Sequence, residues 1–428
     1  MREMKDSGVE WIGEIPKEWR LTKARRLFKN KKEVVGDAVE QYERLALTLN
    51  GVIKRSKEDS EGLQPEKFEG YQILRENSLV FKMIDLENVN TSRVGLSSYT
   101  GLVSPAYIVF SNERDDNRYS YYWFISMYYQ EVFNHLGGEG VRSALNAKDM
   151  LSLPIPNISE REQTHIANYL DSKCAKIDEI IEKQQAIIEK LKEYKLSIIT
   201  EAVTKGLNPD VEMKDSGFDF IGKIPINWEI CRARNIGIPQ NGISKGGEYF
   251  GKGNPFVTYG DVYKNYTLPL NVSGLIESSD EEQKKYSVLE GDIFFTRTSE
   301  TIEEIGFSCV CEKTIPKATF AGFLIRLRPY NDKMITGFAK YYFRSNHHRK
   351  YFIKEMNLVT RASLGQDLLK SMPVLLPPKT EQIEIANYLE KKVKGIELNI
   401  NIVTAKIEKL QEYKKSLIYE VVTGKKEV

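Results

Sequence analysis

The residues of this 428-residue chain best suited to chemistry are cations interleaved with aromatic and hydroxyl side chains. The clearest groups are Lys54-Arg55-Ser56-Lys57, Arg93, Ser244-Lys245 with Tyr249, and Arg297-Thr298-Ser299, all in expected loops. Arginine and lysine can bond guanine edges or neutralise phosphates, and serine and threonine can serve either surface. Lys82, Arg142 and Arg361 extend the set. Arg344, His347, His348, Arg349, Lys350 and Lys354 place positive charge along an expected helix suited to phosphate. The competing reading of any one of these is a charge that merely solvates its own face.

Catalytic signatures are missing. The chain contains no GxxxxGK[ST], HExxH or GxSxG pattern. Phe250-Gly251-Lys252-Gly253-Asn254-Pro255 superficially suggests a nucleotide loop or the Asn-Pro dipeptide of amino-methylases. It lacks the third glycine and the following Pro-aromatic pair, so a hairpin or loop is expected. Of the four cysteines only Cys309 and Cys311 are close, with no second pair, so neither a disulfide framework nor a zinc site is expected. His347 and His348 have no ligand-spaced Asp, Glu or Cys beside them. These features argue for recognition, with no catalytic residue and no metal assigned.

Lys+Arg 62 against Asp+Glu 60 gives +2, so nucleic-acid binding must come from local patches. A hydrophobic fraction of 41% suffices for packed cores and excludes a disordered or fibrous chain. No run approaches a membrane span, and the start MREMKDSG has no apolar signal core, so a cytoplasmic location is expected.

An internal repeat organises the chain. MKDSGVEWIGEIPKEW from Met4 returns as MKDSGFDFIGKIPINW from Met213, and 12 of 25 aligned positions are identical. LSLPIPNISEREQTHIANYLDSK from Leu151 returns as KSMPVLLPPKTEQIEIANYLEKK from Lys370, and this second match runs to Thr204 and Thr423 with 25 of 54 identical. Expected domains are a first recognition domain at 1–150, a first shared region with a long spacer helix at 151–207, a second recognition domain at 208–371, and a second shared region with its helix at 372–428. The inserts at 29–150 and 238–369 match poorly, though Tyr71, Leu74 and Lys82 fall opposite Tyr286, Leu289 and Arg297, and Arg142 and Leu145 opposite Arg361 and Leu364. Both read as mixed α/β, so the fold class is α/β (α+β) in tandem duplication. Frames kept alike around divergent inserts suit a reader of an asymmetric two-part target.

Each shared region predicts a helix, starting at Ser159 with Glu162 as a capping box in one copy and near Thr380 in the other. Heptad spacing places Ile177, Ile180, Gln184, Ile187, Leu191, Tyr194 and Ile198 on one seam, and Ile396, Ile400, Val403, Ile407, Leu410, Lys414 and Leu417 on the other. At 1.5 Å per residue these helices reach roughly 60 Å. Two helices paired antiparallel, or each packed on its own domain, would both bury such seams.

The paired IPxxW openings, the paired EQxxIANYL segments and the helix ends EYKLSIITEAVTKG and EYKKSLIYEVVTGK together resemble the specificity subunits of type I restriction-modification enzymes. The resemblance covers essentially the whole chain. It implies two target-recognition domains, each reading half of a bipartite double-stranded DNA sequence. It also implies an antiparallel coiled coil that sets the gap and docks two methyltransferase subunits, with restriction (translocase/endonuclease) subunits further out. S-adenosylmethionine, ATP and Mg²⁺ would belong to those partners, leaving this subunit non-catalytic and without a cofactor. The alternatives are a DNA-processing enzyme with an unrecognised nuclease site and a structural coiled-coil scaffold that binds proteins.

Overall fold

A computed structural model describes residues 2–49, 51–59, 67–86, 93–114, 116–136, 144–299, 305–330, 333–355 and 362–428. The chain divides into two compact units, the first formed by Met1–Gln184 with Thr404–Val428 and the second by Gln185–Val403.

The first unit opens with a small hairpin, Met4–Asp6 antiparallel to Glu14–Pro16. Leu21–Lys23 then pairs with Pro154–Pro156, which leads into the first long helix. The insert between them folds as two small sheets. In one, Leu79–Phe81 lies between Ile108–Phe110 and Val94–Leu96 and runs antiparallel to both. The other has the order Gly51–Arg55, Arg44–Thr48, Gly101–Val103, Gln72–Leu74. The helix Arg118–Tyr129 buries Trp123, Phe124 and Met127 against Phe81 and Phe110, in a core joined by Leu417, Val421 and Val422 of the second long helix. This aromatic segment is broken at Glu131, which has φ 57, and a second short helix runs Val132–Leu136.

The second unit repeats this frame. Met213–Asp215 pairs with Lys223–Pro225, and Glu229–Arg232 pairs with Pro373–Leu376 ahead of the second long helix. Its insert contains a four-stranded antiparallel sheet of order Gly237–Asn241, Leu324–Pro329, Ile293–Thr296, Ser308–Val310. The strand Phe250–Val257 ends because Thr258 accepts from the Asp261 amide and opens a helix at Tyr259. Two helices, Thr336–Tyr342 and Asn346–Glu355, follow the four-stranded sheet, so Arg344 lies in the break between them.

The long helices span Glu160–Lys205 and Lys379–Val422. The first starts where expected, with Ser159 Oγ accepting from the Glu162 amide. The second begins at Lys379, so Thr380 lies inside it. Each unit contains the N-terminal part of one helix and the C-terminal part of the other, and the pairing within each is antiparallel. In the first unit His165 meets the Val428 carbonyl while Lys414 pairs with Asp178 at 2.7 Å. In the second Lys195 pairs with Glu397 at 3.3 Å, and Gly206 lies against the Glu381 carboxylate.

Ile396, Ile407 and Leu417 are buried, and Ile400, Val403 and Leu410 are half-buried, which forms the seam of the second helix. On the first helix Ile177 and Ile198 are buried and Leu191 is half-buried, but Tyr194 is 51% exposed. The observed seam is 177, 181, 184, 188, 191, 195, 198, so Ile180, Ile187 and Tyr194 each lie one residue off it. Both spacings alternate three and four, and Ile180-Ile181 and Ile187-Ile188 fit either. The phase is decided at Lys195, whose stem is covered and whose ammonium sits 5.6 Å from the Tyr266 ring centre beside Glu397.

Candidate nucleic-acid interface

The frame motifs have a direct structural basis. Trp19 and Trp228 are each buried, and their indole N–H groups donate to Glu162 (3.3 Å) and Glu381 (3.0 Å). The neighbouring glutamines, Gln163 and Gln382, donate back to Ile158 and Pro377 carbonyls at 2.9 Å and so close the helix starts. A buried indole needs an acceptor, and an N-terminal carboxylate also suits the helix dipole. The IPxxW and EQ elements are therefore one interaction, present twice.

On these frames the two inserts bring equivalent strand ends forward. In the second unit the C-terminal ends of Gly237–Asn241 and Ile293–Thr296 meet the N-terminal ends of Leu324–Pro329 and Ser308–Val310. Lys245, Arg297 and Thr298 all follow or lie at this end. In the first unit the corresponding end carries Lys82 and Arg93, flanking Leu79–Phe81 and Val94–Leu96.

Strand register corrects the expected alignment of the inserts. Leu79, Val80 and Phe81 pair with Leu96, Gly95 and Val94, as Ile293, Phe294 and Phe295 pair with Val310, Cys309 and Ser308. Asn77 (φ 61) and Gly291 (φ 87) hold the same left-handed turn position before those strands. Leu145 donates its amide to the Met83 carbonyl (3.0 Å), and Leu364 to that of Arg297 (2.7 Å). Arg297 is thus the counterpart of Met83, and Lys82 that of the buried Thr296. A one-residue shift along a strand changes faces, so Lys82 and Arg297 are not a shared contact.

Most candidate cations are held by their own domain. Lys54 pairs with Glu43 (2.5 Å), Arg55 with Asp59 (2.6 Å), and Lys57 with Glu40 (3.4 Å) and the Val39 carbonyl. The Glu43 hydrogen bond raises the Lys54 ammonium above its ordinary pKa. Lys245 pairs with Glu282 at 2.7 Å and lies 5.0 Å from the ring centre of Tyr249, which is 40% exposed. Arg93 overturns its expectation as a DNA contact. It is 2% exposed, and its guanidinium donates to the carbonyls of Lys82, Ile84 and Asp85, holding the turn that follows Phe81. Desolvation lowers its pKa.

Arg297 differs. It is half-buried, its Nε is enclosed, and no described residue accepts a hydrogen bond from its guanidinium. Its backbone is fixed on both sides, the amide donating to Phe323 O at 2.9 Å and the carbonyl accepting from Leu364. Thr298 pairs with Ser363 in a two-residue strand. Lys82 is half-buried. Arg142 and Arg361 lie outside the described residues, as do the side chains of Ser299 and Arg349.

The basic helix expected at 344–354 is mostly inward-facing at its start. Arg344 is buried and donates to the carbonyls of Val262, Tyr263, Asn265 and Ser308. His347 and His348 are buried beside Tyr342, with Ser345 Oγ 2.7 Å from His347 Nδ1. Burial pulls the His347 pKa down to about 3 and lowers that of His348. Among the described residues no cluster of three or more His, Cys, Asp or Glu could hold a metal ion, and no helix is long and apolar enough to cross a membrane. Sequence reasoning passed over Phe323, which is 63% exposed beside Arg297. A lone aromatic before the apolar run LIRL reads as core, and only the strand boundary at Leu324 places it outside.

A repeated frame carries two unlike sheet ends, and comparison with known proteins gives relatives of one class. The family described as Type I restriction modification DNA specificity domain matches residues 225–409, which hold the four-stranded sheet and much of the second long helix. The EcoKI specificity subunit of Escherichia coli (strain K12) is 25% identical over 328 residues, covering 74% of this chain and 66% of that protein. The StySPI specificity subunit of Salmonella potsdam is 23% identical, covering 66% of this chain and 61% of its own length. Each match therefore spans less than two thirds of the relative. A solved chain described under the structural basis of complex assembly and conformational transition of the type I R-M system has the same fold, with TM-score 0.70, 13% identity and coverage of 95% and 98%. Residues 225–409 thus match the specificity-domain family, and the chain as a whole is similar to type I restriction enzyme specificity subunits.

Proposed function

We propose that this chain is the non-catalytic, sequence-reading subunit of a type I restriction-modification complex acting on double-stranded DNA in the cytoplasm. Each insert reads one half of a bipartite target, so the recognition domains are 1–150 and 208–371. The shared regions 151–207 and 372–428 set the gap and dock two methyltransferase subunits, with restriction subunits further out. S-adenosylmethionine, ATP and Mg²⁺ are assigned to those partners.

The observation that carries this reading is the contrast between frame and insert. The Trp–Glu and Gln–carbonyl bonds recur in both units, while the inserts they support differ at the same strand end, where the first buries Met83 in its core and the second places the half-buried Arg297. Identical mounts for unlike readers are what a two-part asymmetric sequence requires. Contacts at these ends would be sorted by chemistry, with lysines on phosphates and an unpaired arginine on a base edge.

Deleting one heptad from each long helix tests the reading. Seven residues at 1.5 Å shorten the helix by roughly 10 Å, about three base pairs of duplex. The gap should contract with both half-sites unchanged. Altered half-site bases at an unchanged gap would refute the assignment.

A further inference from the structure

Arg297 and Phe323 stand side by side at the open end of the second unit's sheet. The Arg297 amide donates to the Phe323 carbonyl at 2.9 Å, so the two side chains leave adjacent strands at the same level. Phe323 is 63% exposed, so its ring is open to a ligand at this end of the sheet. Arg297 is anchored by its backbone through Phe323 and Leu364, and its Nε is buried without a partner. Its two Nη groups are neither enclosed nor bonded to any described residue. The rest of the candidate set with described side chains offers no unpaired guanidinium: Lys54, Arg55, Lys57 and Lys245 face carboxylates, Arg93 is spent on carbonyls, and Lys82 is an ammonium without a planar donor edge.

The equivalent positions in the first unit hold different chemistry. Register makes Met83 the counterpart of Arg297. Ile108 opposite Phe81 corresponds to Ile325 opposite Phe295, so Ala106 is the counterpart of Phe323. Met83 is buried in the core and Ala106 carries no ring, so the first unit presents neither a paired donor nor an aromatic face here.

Resting on the functional reading above, we propose that Arg297 and Phe323 form a two-residue base reader specific to the second half-site. The Nη1/Nη2 edge of Arg297 donates to the O6 and N7 of a guanine in the major groove, and the Phe323 ring contacts the C5-methyl of a flanking thymine. A guanidinium whose inner edge is already desolvated and whose backbone is fixed on both sides loses little freedom on binding, which favours base discrimination over loose phosphate contact. The first half-site is read without this pair.

The test uses the full chain in complex with its cognate methyltransferase subunit, with methylated motifs mapped genome-wide for wild type, Arg297→Met, Arg297→Lys and Phe323→Ala. A wild-type complex that assembles but yields no two-part motif would sink the functional reading and this proposal together. Given a wild-type motif, Arg297→Met should relax one guanine in one half only, with discrimination at that position falling roughly ten- to hundred-fold. Arg297→Lys should keep a weakened preference for that guanine, and Phe323→Ala should relax the adjacent thymine. An unchanged motif in Arg297→Met overturns the proposal and leaves the functional reading intact. Equal loss of all methylation in Arg297→Met and Arg297→Lys also overturns it, since that marks a structural residue.

Discussion

The indole of Trp228 donates to the Glu381 carboxylate at 3.0 Å, and the same bond joins Trp19 to Glu162 at 3.3 Å. The hairpin at the start of each frame is thereby locked to the first turn of a long helix far along the chain. Replacing Trp228 with phenylalanine keeps most of the packing but removes the donor. A buried hydrogen bond to a charged acceptor contributes roughly 1.5–3 kcal/mol, so Trp228→Phe should lower unfolding stability by about that amount in urea titrations of the full chain. An unaltered midpoint would show that the bond is not what holds the frame.

The phase of the first long helix gives a sharper contrast. Ile198 is 8% exposed and Tyr194 51%. Ile198→Ala should cost roughly 2–5 kcal/mol as a core truncation, whereas Tyr194→Ser should stay within about 0.5 kcal/mol. Equal losses at the two positions would contradict the seam 177, 181, 184, 188, 191, 195, 198.

Arg93 tests the correction to the candidate interface. Arg93→Met removes the guanidinium's bonds to the carbonyls of Ile84 and Asp85, each contributing roughly 0.5–1.5 kcal/mol net. The variant should melt earlier, and its complex with the methyltransferase subunit should still methylate the wild-type motif at permissive temperature. A folded variant with a relaxed motif would make Arg93 a base contact after all.

Two buried histidines make stability fall on the acid side. His347 is held neutral with its pKa pulled down to about 3, and His348 is shifted the same way, both mainly by burial. A group whose folded pKa lies below its unfolded value binds fewer protons when folded. Its contribution is complete above the unfolded value near 6.5 and is lost as pH falls from there towards 3. Urea midpoints should therefore drop between pH 7 and pH 5, and a His347→Asn, His348→Asn variant should show a shallower drop. Identical pH slopes would count against this.

The repeat, the mixed α/β inserts and the seam of the second helix were legible because identity and 3.5-residue spacing survive in the sequence. Lys195 was not legible, since a lysine on a seam looks polar until its stem is seen to be covered. The pairing of Lys82 with Arg297 rests on two identical positions nearby, Tyr71 with Tyr286 and Leu74 with Leu289, and strand register moves it by one residue. Arg93, Arg344 and the histidines read as surface charge because sequence cannot show that carbonyls or rings surround them. Arg297 was picked on residue type alone, and the features that single it out are its fixed backbone, its unpartnered Nε and its exposed neighbour.

The central claim is that two unlike readers on one repeated frame address a two-part DNA sequence. The most direct measurement is long-read mapping of adenine methylation in cells that express this chain with its cognate methyltransferase subunit and form the complex. The account predicts one motif of two specified halves separated by a fixed unspecified gap. A single uninterrupted motif, or no new methylation despite an assembled complex, would contradict it.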